Sequence, residues 1–126
     1  MLERMAGGDQ ADSSAPDSVV CLLTTPTTHS QPIATALVER RLAACVNVVE
    51  SVLSTYRWDG RVEHDEESLL VVKSTRHAVP AIEGLLREIH PYDTFELIAL
   101  DVVAGSADYL RWIAESIGER TSADGV

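Results

Sequence analysis

The chain predicts an α+β fold with one antiparallel sheet in a split β-α-β arrangement, and three observations lead there. Short apolar runs and segments of helical spacing follow one another in the order β-α-β-β-α-β, with a further helix at the end. Asp59-Gly60 stands between two extended patterns, and a type I′ hairpin turn needs residues that tolerate positive φ at both central positions. The patterns on either side of that turn are unusually long, which marks a long second-to-third-strand hairpin.

Each element has a local reason. "SVVCLLTT", Ser18 to Thr25, is β-branched, nearly all apolar and closed by Pro26, as suits a central strand. Ser30 is placed to cap the helix that follows, and Pro32 falls in its first turn, where a missing N–H costs least. Ile33 and Leu37 form one i, i+4 ridge and Ala34, Val38 and Leu42 the next, so the helix is expected to end near Leu42. The second strand runs from about Ala43 to Trp58. Its return, "RVEHDEESLLVVKS", starts acidic and ends apolar. Val79, Ile82, Leu86 and Ile89 recur at helical spacing, with Pro80 delaying the start or kinking the first turn. "TFELIALDVV" is the fourth strand, and Gly105-Ser106 open a last helix on which Tyr109, Ile113 and Ile117 share a face. This is the ferredoxin-like class, with helices expected on one face of the sheet and the other face open. Residues 18–118 read as one domain, between a disordered N-terminal tail over 1–17 and a polar C-terminal tail over 119–126.

With 20 acidic against 10 basic residues, the net charge of −10 disfavours nucleic acid, whose affinity rests on basic side chains displacing counterions. Anionic membrane surfaces are disfavoured for the same reason; cations are the natural counter-partners of such a surface, although a moderately acidic chain is commonly just a soluble one. The two cysteines, Cys21 and Cys45, lie inside apolar runs, as buried reduced thiols do. Residues 1–17 lack an apolar stretch of signal-peptide type, and no run is long enough to span a membrane, so the expected location is the cytoplasm.

A strand of about 16 residues would extend roughly 50 Å, against a radius of gyration of roughly 14 Å for a compact chain of this size. The hairpin must therefore bulge and fold back or project beyond its own domain. Its tip carries Tyr56 and Trp58, and its arms offer unpaired edge groups, so pairing with a sister chain is the expected resolution.

The segments "ERRLAACVNVVESVLSTYRWDGRVEHDEE", "VVKS", "IHPYDTFELIAL" and "VVAGSADYLRWI" resemble, in order and spacing, the CutA family of divalent-cation-tolerance proteins, from about Val19 to Ile117. The resemblance implies ferredoxin-like subunits in a homotrimer, with the long hairpin engaged between subunits. It implies tolerance of copper and other divalent metals, with copper binding proposed through cysteine and histidine. By that correspondence the cysteine of "LAAC" is Cys45 and the histidine of "HPY" is His90. A second histidine found in some members is Ile89 here, and a cysteine found at the end of the first strand is Leu23, with Cys21 one pleat away.

Thiolate and imidazole suit copper or zinc, which makes Cys45, His90 and Cys21 the candidate metal ligands, although no C-x-x-C or H-x-x-x-H spacing accompanies them. Cys45 by itself reads first as a small buried apolar residue, as unpaired cysteine usually is. His90 is also read as a helix-end residue, an imidazolium facing the carbonyl dipole before Pro91. His29 and His77 stand in polar surroundings at helix starts. In "EHDEE", alternation puts His64 and Glu66 on one side and Glu63, Asp65 and Glu67 on the other, a patch that attracts cations weakly or simply solvates an edge.

No Walker loop, Rossmann glycine run or G-x-S-x-G is present, and "TTPTTHSQP" has neither the glycine nor the arginine of a phosphate loop, so no enzyme is expected. The strands "VVCLL" and "LLVV" also lack the aromatics an RNA-binding sheet needs. Lys73, Glu96, Tyr109 and Trp112 are candidates to line a cleft between subunits. The expected function is divalent-cation tolerance by a homotrimer that binds copper or another divalent ion and needs no organic cofactor. The alternative is a trimeric scaffold or sensor that takes a small ligand or protein partner at those clefts.

Overall fold

The computed structural model describes residues 17–118, so both expected tails lie outside it apart from Asp17. Four strands form one antiparallel sheet in the order β2-β3-β1-β4, where β1 is Ser18–Thr25, β2 Cys45–Trp58, β3 Arg61–Thr75 and β4 Leu97–Asp101. Three helices complete it: α1 Ser30–Glu39, α2 Val79–Ile89 and α3 Ala107–Ser116. This is the ferredoxin-like α+β arrangement, with β1 and β3 at the centre and β2 and β4 at the edges.

The ends of the elements differ from the sequence expectation in instructive ways. Ser30 does not cap α1. A 3-10 turn over Thr27–His29 precedes the helix, and the Ser30 hydroxyl donates back to the Thr27 carbonyl at 3.0 Å. The helix stops before Leu42 because Arg41 adopts φ 60°, which lets the Leu42 and Ala43 amides both close on the Leu37 carbonyl, at 2.9 and 3.1 Å. A second 3-10 turn, Arg76–Ala78, absorbs the start of α2, so Pro80 falls where no helical N–H is lost. Strand β4 is shorter than its apolar pattern, because pairing with β1 runs only from Leu97↔Leu23 to Asp101↔Val19. Ser106 caps α3, its hydroxyl accepting from the Tyr109 amide at 3.3 Å.

The hairpin turn is as expected: Asp59 and Gly60 have φ of 56° and 80°. Between Val49 and Val52 the register shifts, three steps along β2 matching the two from Leu69 to Glu67 on β3. This bulge re-aims the outer half of the hairpin, and the Ser68 hydroxyl ties it by donating to the Glu50 carbonyl at 2.9 Å.

Alternation sorts the sheet into two faces. Val19, Cys21 and Leu23 of β1 and Leu70 and Val72 of β3 point to α1 and α2 and join Ile33, Leu37, Ile82 and Leu86, all nearly fully buried, in the core. The second face is only partly open, contrary to expectation. One register row across it is Cys45, Lys73 and Val20, and α3 lies over that end, bringing Tyr109 to Cys45. Leu70 is fully buried on the central strand of the core, so Leu70→Ala is expected to lower unfolding free energy by about 2–5 kcal/mol in a denaturant titration.

Candidate functional site

The candidate residues fall into two groups at opposite ends of the second face. At the inner end, Lys73 Nζ lies 3.9 Å from Cys45 Sγ and donates to Asn47 Oδ1. Tyr109 hydrogen-bonds Cys45, and burial, then the neighbouring sulfur, raises the phenol above its ordinary pKa. The Trp112 ring stands 5.4 Å from the Tyr109 ring, one helical turn along α3. Three of the four cleft-lining candidates therefore gather around Cys45. Glu96 does not join them; it sits at the other end, where its carboxylate accepts from the Thr24 hydroxyl at 3.4 Å.

Cys21 shares neither location. It is fully buried on the core face, the opposite face from Cys45, and burial raises its thiol pKa. His90 is also apart: its ring reaches Thr24, whereas Cys45 is in register with Val20 through Lys73. Four residues along β1 are about 13 Å. The three sequence-named donors thus do not meet within one chain, and among the described residues no group of three His, Cys, Asp or Glu side chains could hold a metal ion.

His90 ends α2 in an extended conformation, 8% exposed, stacked on Phe95 at 5.1 Å and tilted against Tyr92 at 5.0 Å. Its Nε2–H donates to the Thr24 carbonyl at 2.9 Å, one residue beyond the last β1–β4 pair, and its Nδ1 accepts from the Tyr92 amide at 3.1 Å. Both ring nitrogens are committed, with no lone pair left for a metal. Burial, opposed by the Thr24 carbonyl, lowers its pKa below 6.5, with His29 adding to the lowering and Glu67 resisting it. The imidazolium expected at the helix end is therefore replaced by a neutral pin that holds the 90–96 loop to β1. The His29 ring meets the Thr28 hydroxyl at 3.2 Å and the His64 ring the Thr55 hydroxyl at 3.0 Å, and His77 is exposed.

The outer end carries a groove that the sequence left undrawn. It lies between the hairpin and the Tyr92–Glu96 loop, with a volume of about 640 Å³. Tyr56, Trp58 and Tyr92 supply rings, and Asp65, Glu67, Asp93 and Glu96 supply carboxylates. Tyr56 donates to Asp65, which pushes its phenol pKa up to about 12. The Tyr92 hydroxyl donates to Glu67 Oε2 at 3.2 Å, and burial, then Glu67, raises its pKa as well. Both phenols thus stay donors at neutral pH. Alternation in "EHDEE" already set Asp65 and Glu67 on one side, but the loop that closes the groove is joined to it only by the fold.

With this geometry in hand, comparison with known proteins places the chain. The family model described as CutA1 divalent ion tolerance protein matches residues 19–116. The chain belongs to the CutA1 family. A divalent-cation tolerance protein CutA of Thermus thermophilus is 46% identical over 100 residues, covering 79% of this chain and 97% of that protein. Human protein CutA is 43% identical over 86 residues, which span 68% of this chain but only 48% of the human protein. The solved structure of the divalent cation tolerance protein Cut A1 from Thermus thermophilus superposes with a TM-score of 0.79 at 45% identity, over 80% of this chain and 99% of that one.

In this CutA1-family chain the neutral His90 pin has a pH signature. Because its folded pKa lies below the usual 6.5, its contribution is fully present above about pH 6.5 and is lost as pH falls through the folded value. Thermal midpoints measured from pH 7.5 to 4.5 should fall more steeply in the parent chain than in His90→Gln, which has no imidazole to protonate. Parallel curves would show that His90 carries no such linkage.

Proposed function

We propose that this chain serves divalent-cation tolerance as a cytoplasmic homotrimer, and that copper or a similar divalent ion meets it at Cys45. The observation that carries the reading is the state of the three donors. Cys21 is enclosed in the core and His90 has committed both nitrogens, while Cys45 is half-buried on the second face, beside a flexible lysine that can swing aside. One thiol is a weak site in itself, and an ammonium beside it repels a cation, so useful affinity requires donors from sister chains.

Assembly is supported by the sheet edges. The order β2-β3-β1-β4 leaves β2 and β4 without a partner on their outer sides among the described residues. Leu53, 71% exposed, and Trp58, 59% exposed, project from the hairpin, while Ile98 and Leu100 are exposed on β4. An apolar edge of this length invites strand addition from another copy, and a ring of three satisfies every edge by closure. The role is one of binding, with no catalytic step assigned.

Sedimentation of the full chain at dilute concentration should give three times the chain mass, and a stable single-chain species would sink the assembly. Copper titrated into the same sample should bind more weakly by about tenfold or more in Cys45→Ala and unchanged in His90→Gln, as loss of one soft ligand but not the other requires. Binding that ignores Cys45→Ala would reject the ligand assignment.

A further inference from the structure

Residues 91–96 join α2 to β4, and among the described residues this segment makes no backbone-to-backbone hydrogen bond. Its main chain is tied at one point, where the Tyr92 amide donates to His90 Nδ1 at 3.1 Å. Two side-chain bonds supply the rest: the Tyr92 hydroxyl to Glu67 Oε2 at 3.2 Å, and the Thr24 hydroxyl to Glu96 Oε1 at 3.4 Å. The elements on either side are held far better, α2 by its own helical bonds and β4 by a ladder of five pairs with β1. The loop is thus the part of this region that can open by itself.

The bond to Nδ1 exists in one protonation state only. The Thr24 carbonyl accepts from Nε2–H, which leaves the Nδ1 lone pair to take the amide two residues on, an imidazole counterpart of the Asx turn. A proton on Nδ1 would set N–H against N–H, while Nε2 could still donate to Thr24. We infer that His90 is a proton-operated latch: a proton taken at Nδ1 expels the Tyr92 amide and frees residues 91–96, while the sheet and helices stay folded. Opening lifts the Tyr92 hydroxyl off Glu67, 7% exposed when the loop is closed, and uncovers that carboxylate beside the hairpin bulge.

The groups that face the ring come from four elements. They are His29 before α1, Glu67 on β3, Tyr92 and Glu96 on the loop, and Arg87 on α2, whose guanidinium lies 6.0 Å from the centre of the stacked Phe95 ring. Burial is the main obstacle to the proton; the Thr24 carbonyl favours it, His29 opposes it and Glu67 favours it, and the balance holds the pKa below 6.5 while the loop is closed. Once released and solvated, the ring regains its ordinary pKa of about 6.5. Closure is therefore fully favoured above about pH 6.5 and is lost as pH falls through the closed-state value. Neither copper at Cys45 nor assembly enters this inference.

The test is exchange of the Tyr92 amide with water in the 15N-labelled full chain, followed by NMR from pH 7.5 to 5.0 and corrected for the intrinsic pH dependence of exchange. Protection of Tyr92 should fall severalfold across that range, while that of Val71, in the centre of the sheet, stays level. In His90→Asn the side-chain oxygen takes the place of Nδ1 in an ordinary Asx turn and does not titrate, so protection should persist and be flat with pH. Three results would overturn the latch: flat Tyr92 protection in the parent chain, as when a sister chain holds the loop shut; an equal fall in His90→Asn, which means that another group titrates; or a parallel fall at Val71, which is global unfolding.

Discussion

Every residue of β1 from Ser18 to Thr25 has a partner on β3 from Thr75 to Ser68, and this central ladder positions all that the molecule can use. Because side chains alternate across it, the register settles which groups share a face. Cys21 goes into the core while Val20, one residue away, shares a row with Lys73 and Cys45 on the other side. A one-residue slip would exchange those faces. The apolar cost of doing so is what holds the register: if β1 slipped, Val19, Cys21 and Leu23 would leave the core together.

The ladder also separates two chemistries along its length. The inner end, under α3, holds the one lysine in the chain next to a thiol and a phenol. The outer end holds carboxylates and rings. A protein of net charge −10 could have neutralised the outer carboxylates with any of its nine arginines, yet Arg76, Arg87 and Arg111 form ion pairs with acids elsewhere, at Asp101, Glu83 and Asp108. Such exposed pairs contribute little to stability. Hydroxyls, not cations, orient the groove, which preserves its negative character.

His90 links the core to the groove. Its ring accepts from the Tyr92 amide and donates to the Thr24 carbonyl, so the loop bearing Asp93, Thr94 and Glu96 is pinned against the end of β1. The residue that most resembles a metal ligand in the sequence serves, in the fold, to place one wall of the groove. The proline that follows favours the extended backbone of His90, and Phe95 stacks on its ring at 5.1 Å.

What the sequence by itself determined is whatever depends on near neighbours: the order of elements, the Asp59-Gly60 turn with both residues at positive φ, the opening of the last helix at Gly105-Ser106, and Asp65 and Glu67 on one side of their strand. These follow from period, turn chemistry and pleat, which act within a few residues. Element ends were legible only roughly, because Arg41 and the turns at 27–29 and 76–78 answer to packing rather than to propensity. The sites needed the tertiary structure. Cys45 meets Tyr109 across 64 positions of chain, and His90 meets Thr24 across 66, and such encounters leave no mark in local spacing. Whether a histidine's nitrogens are free for a metal or committed to the backbone is decided by those distant partners, since only burial and the completed hydrogen bonds make the neutral ring the stable one.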